Sequence, residues 1–228
     1  MTNKRTRLQF QGEKSPSIAP KTAMVSWYLI CVAAAVWLTF FATNEGNGSG
    51  SPGRQLALLA FGLIYIARAV VTLFLFVKRK IPWWEAAYGG GLIGFMLFLF
   101  LRDGLRTPQP LAFLDAVGAL LYFAGSYVGT ASEYSRYLWK ARPENHGHLY
   151  TEGLFRYCRH INYFGDLLLF CGFAVLTRQL WTGIVPLVMG LNFIFFLIPA
   201  HDAYLAKRYG SEFNAYERRT WKLIPLVY

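Results

Sequence analysis

The chain has 228 residues, of which 55% are hydrophobic and 18% aromatic, while only 15% are charged. Soluble domains carry about a quarter charged residues, so this composition excludes an ordinary soluble protein. The formal net charge of +11 does not indicate nucleic acid, because the basic residues lie in short segments between long apolar runs. Such runs match the ~20 residues needed to cross a bilayer.

In chain order, residues 1–22 read as a flexible tail carrying Lys4, Arg5, Arg7, Lys14 and Lys21. The first apolar run starts too late and lacks a small-residue cleavage site, so it reads as a retained span rather than a signal peptide. The spans expected are Met24–Thr43, Gln55–Val77, Trp84–Leu101, Leu111–Thr130, Tyr163–Leu176 and Leu180–Pro199. The fourth continues as a helix into Ser132–Lys140, and the fifth and sixth form a hairpin turning near Arg178. Gly89-Gly90-Gly91 allows close packing or a local break in the third. The fold class is therefore all-α: a polytopic membrane protein of about six helices, with residues 23–228 as one embedded domain. The N-tail, Lys78–Lys80, the 131–162 loop and the C-tail hold five, three, five and five Lys or Arg, against four in the remaining loops. This asymmetry puts both termini in the cytoplasm, in a bacterial inner membrane or the endoplasmic reticulum.

Arg68 stands 14 residues into the 23-residue second run, about ten residues from the basic surface, which is ~15 Å of helix. That is too far to snorkel, so a buried pairing or a substrate contact inside the bundle is expected, with Glu85 and Asp115 as partners to consider. The richest polar segment, 133–166, gathers Arg136, Lys140, Arg142, Arg156 and Arg159 with His146, His148 and His160, then Asn162 and Asp166. Such density at a membrane boundary suits a phosphate-bearing or carboxylate-bearing cofactor, or else lipid headgroups. Asp202, Tyr209 and Tyr216 fall seven residues apart, on one face of a helix, or of an amphipathic helix on the membrane surface. The histidines lack metal-site spacing, Cys31, Cys158 and Cys171 show no pairing pattern, and no glycine-rich dinucleotide fingerprint follows a strand.

The run GLFRYCRHINYFGD (153–166) and the tail KRYGSEFNAYERRTWKLIPLVY (207–228) resemble the C-terminal domain of the steroid 5α-reductase and sterol C14-reductase superfamily. The resemblance covers the chain from residue 131 on, the half expected to be catalytic; before that it is one of hydropathy. The same architecture occurs in isoprenylcysteine carboxyl and phospholipid methyltransferases, whose pattern is R-H-P-x-Y, a hairpin, then two glutamates. Arg159, His160 and Tyr163 match it, whereas Ile161 replaces the proline and His201-Asp202 the glutamates. The reductase resemblance implies NADPH in a cytoplasm-facing pocket, and reduction of a C=C bond in a lipid or steroid-like substrate. Arg136, Arg159, Arg218 and Arg219 would then meet the phosphates, and Asn162 and Asp166 the nicotinamide or ribose end. Asp202 and Tyr209 would line the adenosine side, with His148, His160 and Tyr216 also around the pocket. Glu85, Tyr88 and Tyr163 are the acids to test. The methyltransferase resemblance implies S-adenosylmethionine in the same pocket, held by Arg159 and His160. The partners expected are the bilayer and a hydrophobic small-molecule substrate, with no nucleic acid, no metal and no obligatory protein. A scaffold that keeps the fold without turnover is the remaining alternative.

Overall fold

A computed structural model describes residues 16–42 and 50–228. Five helices are long and apolar enough to cross a membrane: α1 (Ile18–Phe40), α2 (Pro52–Phe76), α3 (Trp83–Gly104), α4 (Phe113–Ala141) and α6 (Leu180–Tyr209). A shorter apolar helix, α5 (Ile161–Thr177), has 17 residues, and α7 (Ser211–Arg219) is polar. The chain is thus an all-α polytopic membrane protein. An isolated β-bridge joins Cys158 and Trp221.

The order α1 to α6 follows the six apolar runs, with the fourth continuing past residue 132 as expected and differences at the ends of others. The tail expected over residues 1–22 lies outside the described residues up to 15, and helix starts at Ile18. Pro20 does not prevent this, because a first-turn N–H has no intrahelical partner to lose. Lys21 is consequently buried, its Nζ donating to Val77 O at 2.7 Å. The fourth span runs unbroken to Ala141. The sixth passes Pro199 and ends at Tyr209. A wide π turn at Phe193–Leu197 precedes the proline and leaves room for its ring where a regular helix would clash. The glycine run of α3 shows both features expected of it. A π turn covers Ala86–Gly90, and a Cβ on Gly90 would lie 2.8 Å from Met24 Cγ of α1.

The core joins α1, α2, α3, α4 and α5 through Val32, Leu58, Phe61, Leu97, Phe100, Tyr122 and Phe173. Phe100 and Phe173 stack at 5.2 Å, and Tyr122 donates its hydroxyl to Phe61 O at 2.6 Å. The tightest seam is α4 against α5. A Cβ on Gly165 would lie 2.6 Å from Gly129 N, and one on Gly172 would lie 2.5 Å from Gly118 O. Backbone can approach this closely only where the side chain is a hydrogen, the usual device of helix pairs in a bilayer. Phe95, Phe123, Leu187 and Phe196 point outward, as a surface solvated by lipid requires.

The close α4–α5 contact fixes two polar ends. At one, the α5–α6 turn carries Arg178 in left-handed conformation at φ 60°. At the other, α4 runs past the start of α5, and the final segment folds back under α7.

Candidate functional site

The second polar end is built on the four residues before α5. Backbone of the tail pins them: Arg159 N donates to Trp221 O (2.8 Å), His160 N to Lys222 O (3.2 Å), and Trp221 N to Tyr157 O (3.2 Å). Cys158 is buried between these strands of contact, and burial pushes its thiol up to about 11. This is an inert, structural cysteine. The pinning aims Arg159 under α7. Its Nη1 donates to Glu217 O and Thr220 O, each at 3.1 Å, satisfying carbonyls at the helix C-terminus. Its Nη2 reaches two carboxylates, Glu217 Oε1 at 3.1 Å and Asp202 Oδ2 at 3.4 Å. The other Asp202 oxygen lies 2.9 Å from His160 Nε2. The His160 ring stacks on Tyr163, which stacks on Phe193. Arg159 Nε is buried and has no hydrogen-bond partner among the described residues.

Beside this network lies a cleft of about 190 Å³, open at its mouth. Arg136 and Lys140 reach it from α4, Asn162 from α5, and His201, Tyr204 and Tyr209 from α6. Tyr150 and Phe155 of the connecting loop and Tyr216 of α7 complete an aromatic wall. Tyr216 is anchored by donating to Phe155 O at 2.7 Å, and burial raises its phenol, so it stays a protonated donor. Leu149, Phe213 and Tyr216 pack together and hold α7 over the cleft.

Several residues expected at one site do meet here. Arg136, Arg159, Asn162, Tyr209 and Tyr216 line the cleft, and His160 and Asp202 adjoin it through Arg159. Others do not. Arg218 is exposed, its Nε on Asn214 O of its own helix, and exposed Arg219 reaches Thr151 Oγ1 at 3.2 Å. Neither lines the cleft, although Arg219 Cζ lies 6.0 Å from the centre of the Tyr216 ring. His148 is exposed at the rim, 3.9 Å from Glu212. Asp166 is drawn away by Arg68, whose Nη2 bonds it at 2.7 Å while Nε donates to Thr130 Oγ1. Arg68 is therefore paired inside the bundle, but with neither partner first considered. Glu85 is held by Arg79, and Asp115 by Arg54 and Arg178. Of the three acids, Tyr163 sits next to the cleft in the His160 stack, while Tyr88 is 67% exposed on the outer surface. Glu85 does not line the cleft, although its partner Arg79 acts electrostatically on Tyr163 and His201.

Glu217, Tyr150 and Tyr204 were not legible as site residues. Glu217 lay in a segment read for its arginines, and the Asp202–Tyr209–Tyr216 spacing spoke for one continuous helix. The helix in fact breaks at Gly210, with φ 53°, and turns Glu217 back toward Arg159. Among the described residues no group of three metal-ligating side chains is gathered.

The profile of a family described as "Protein of unknown function (DUF1295)" matches residues 92–220, which span α3 to α7. The chain is also 27% identical over 172 residues to Protein-S-isoprenylcysteine O-methyltransferase B of Arabidopsis thaliana, covering 75% of this chain and 73% of that protein.

Proposed function

The chain belongs to the DUF1295 family of proteins of unknown function, and from that footing we propose that it is a membrane methyltransferase using S-adenosylmethionine. Its acceptor is a hydrophobic molecule carried by the bilayer. The observation that carries this reading is the charge balance around Arg159.

Of the four arginines assigned to NADPH phosphates, Arg218 and Arg219 do not line the cleft. Arg136 is paired with Glu133, and Arg159 is shared by Asp202 and Glu217. A pyrophosphate and a 2′-phosphate would find Lys140 as the one cleft cation without a carboxylate partner among the described residues. S-adenosylmethionine makes the opposite demand: a sulfonium and an ammonium near acids and aromatic faces, and one carboxylate near a cation. The paired glutamates of the related methyltransferase pattern have a counterpart here in Asp202 and Glu217, drawn from two helices onto one guanidinium. The likeness to a plant methyltransferase agrees with this balance.

The fit rests on Arg159. Its buried Nε–H lacks an acceptor, which a bound carboxylate would supply. Asp202 and Glu217 hold the guanidinium in one orientation and stand ready for an ammonium or ribose hydroxyls. Tyr150, Tyr204 and Tyr209 offer ring faces for the adenine and sulfonium. When bound, S-adenosylmethionine supplies a methyl group on a good leaving group. The chain's part is to orient it, to exclude water with α7, and to bring the acceptor to the cleft from the membrane. His160 is committed to Asp202, so an oxygen acceptor that arrives already ionised suits the site, since it needs no base.

Thermal shift of the detergent-purified protein tests the proposal with S-adenosylmethionine, S-adenosylhomocysteine, NADPH and NADH. A ligand at 100 times its dissociation constant stabilises by about 2.7 kcal/mol. The first two should stabilise and the nicotinamides should not. Stabilisation by NADPH alone would return the chain to the reductases.

A further inference from the structure

A second concavity of about 430 Å³ opens beside the cleft and shares Lys140 with it. Lys78 comes to it from the segment after α2, Tyr137 and Lys140 from the end of α4, His146 from the following loop, and Arg208 from the end of α6. Three basic side chains thus converge from three helix ends. Among the described residues none of the three has a carboxylate within ion-pair distance. Lys140 donates to His148 O and Tyr209 Oη, and Arg208 to Tyr204 Oη at 2.6 Å.

What holds these cations is aromatic. Lys78 Nζ lies 5.4 Å from the centre of the Tyr137 ring. Lys140 Nζ and Arg208 Cζ lie 5.2 and 5.5 Å from that of Tyr209. Ring faces fix a cation's position without cancelling its charge. Like charges gathered this way repel one another: Arg208 and Arg136 both act on Lys140, and Glu212, beyond ion-pair distance, offsets them only in part. Elsewhere in the molecule three arginines are each answered by a carboxylate: Arg54 by Asp115, Arg68 by Asp166, Arg159 by Asp202. Here Lys78, His146 and Arg208 are exposed, so an anion from outside can reach them. Preset ammonium and guanidinium groups around a concavity suit a tetrahedral oxyanion.

We propose that Lys78, Lys140, His146 and Arg208 form a binding site for a phosphate group, separate from the Arg159 cleft and independent of which cofactor that cleft takes. The phosphate belongs to an anionic lipid headgroup or to a soluble phosphate compound, and the test separates the two.

The full-length protein is incorporated in phosphatidylcholine nanodiscs doped with phosphatidylglycerol, and co-purifying lipid is counted by native mass spectrometry after release. In parallel, inorganic phosphate is titrated in a thermal shift of the detergent-purified protein. The variant Lys78→Gln with Arg208→Gln removes two cations that do not line the Arg159 cleft. Removing them should lower bound phosphatidylglycerol, the phosphate-induced shift, or both, by about tenfold or more. Lys78→Arg with Arg208→Lys should keep the effect, which guards against misfolding. Arg156→Gln with Arg218→Gln removes equal charge outside the concavity and should also keep it. Loss of lipid alone identifies the headgroup as the source, and loss of the phosphate shift alone identifies a soluble compound. The proposal is overturned by equal binding in wild type and the Lys78/Arg208 variant, or by an equal loss in the Arg156/Arg218 control.

Discussion

The two polar ends of the α4–α5 pair use the same materials to different effect. At the α5–α6 turn, Asp115 receives Arg54 at 2.6 and 3.1 Å, Arg178 at 2.7 and 3.0 Å, and the N–H of Ala112. Arg54, fully buried, spends its remaining donors on the carbonyls of Gln109, Pro110 and Leu176. Every group is satisfied from within, so the cluster is a staple joining α2, α4 and the turn. At the other end one arginine faces two carboxylates, keeps an unanswered N–H, and borders an open cleft. A buried ionic cluster that closes on itself holds a fold, and one left open beside a cavity is shaped for a ligand.

The sharpest way to break the comparison is Asp115→Ala. It strands two arginines, one of them fully buried, and should cost about 3–5 kcal/mol. The loss is measured as a fall in thermal stability in detergent, with no selective effect on ligand binding once the protein is folded. Next is Gly165→Ala. Its Cβ cannot fit against Gly129 and Gly125, so overpacking should cost about 1–3 kcal/mol and disturb both ends together. A variant as stable as wild type would show that the seam has slack. Arg159→Lys should then separate binding from stability. The ammonium can reach one carboxylate but cannot also cap α7, and affinity for S-adenosylmethionine should fall about tenfold, ~1.4 kcal/mol, by calorimetry. The smallest effect belongs to Arg218→Gln with Arg219→Gln. Binding of any coenzyme should change by less than about 0.5 kcal/mol, because neither side chain lines the cleft. A large loss there would revive the phosphate assignment.

The spans were legible because hydropathy and the bilayer impose one length scale on both sequence and structure. The pairing of charges was not. Arg68, Arg54 and Arg159 each find their carboxylate across helices, at separations of 98, 61 and 43 residues, which no local pattern encodes. Lys21 looked like tail because its bond to Val77 O depends on α2 ending beside it. The Arg159-His160 step pointed to the cleft correctly, since its position before an apolar helix is itself local. Arg218 and Arg219 misled because charge says nothing of facing until Phe213 and Tyr216 define the buried side of α7.

The brevity of α5 has a consequence for the depth at which the cleft lies. Its 17 residues extend ~25 Å, less than the ~30 Å of a typical hydrocarbon layer, while α4 and α6 with 29 and 30 residues exceed it. Lipid around α5 must thin or the helix must sit low, so His160 and Asn162 come to rest at the depth of the acyl-chain margin. On the proposed methyltransferase reading, a greasy acceptor would reach the cleft without being hoisted into water, and turnover would be sensitive to membrane thickness, slowing as acyl chains lengthen.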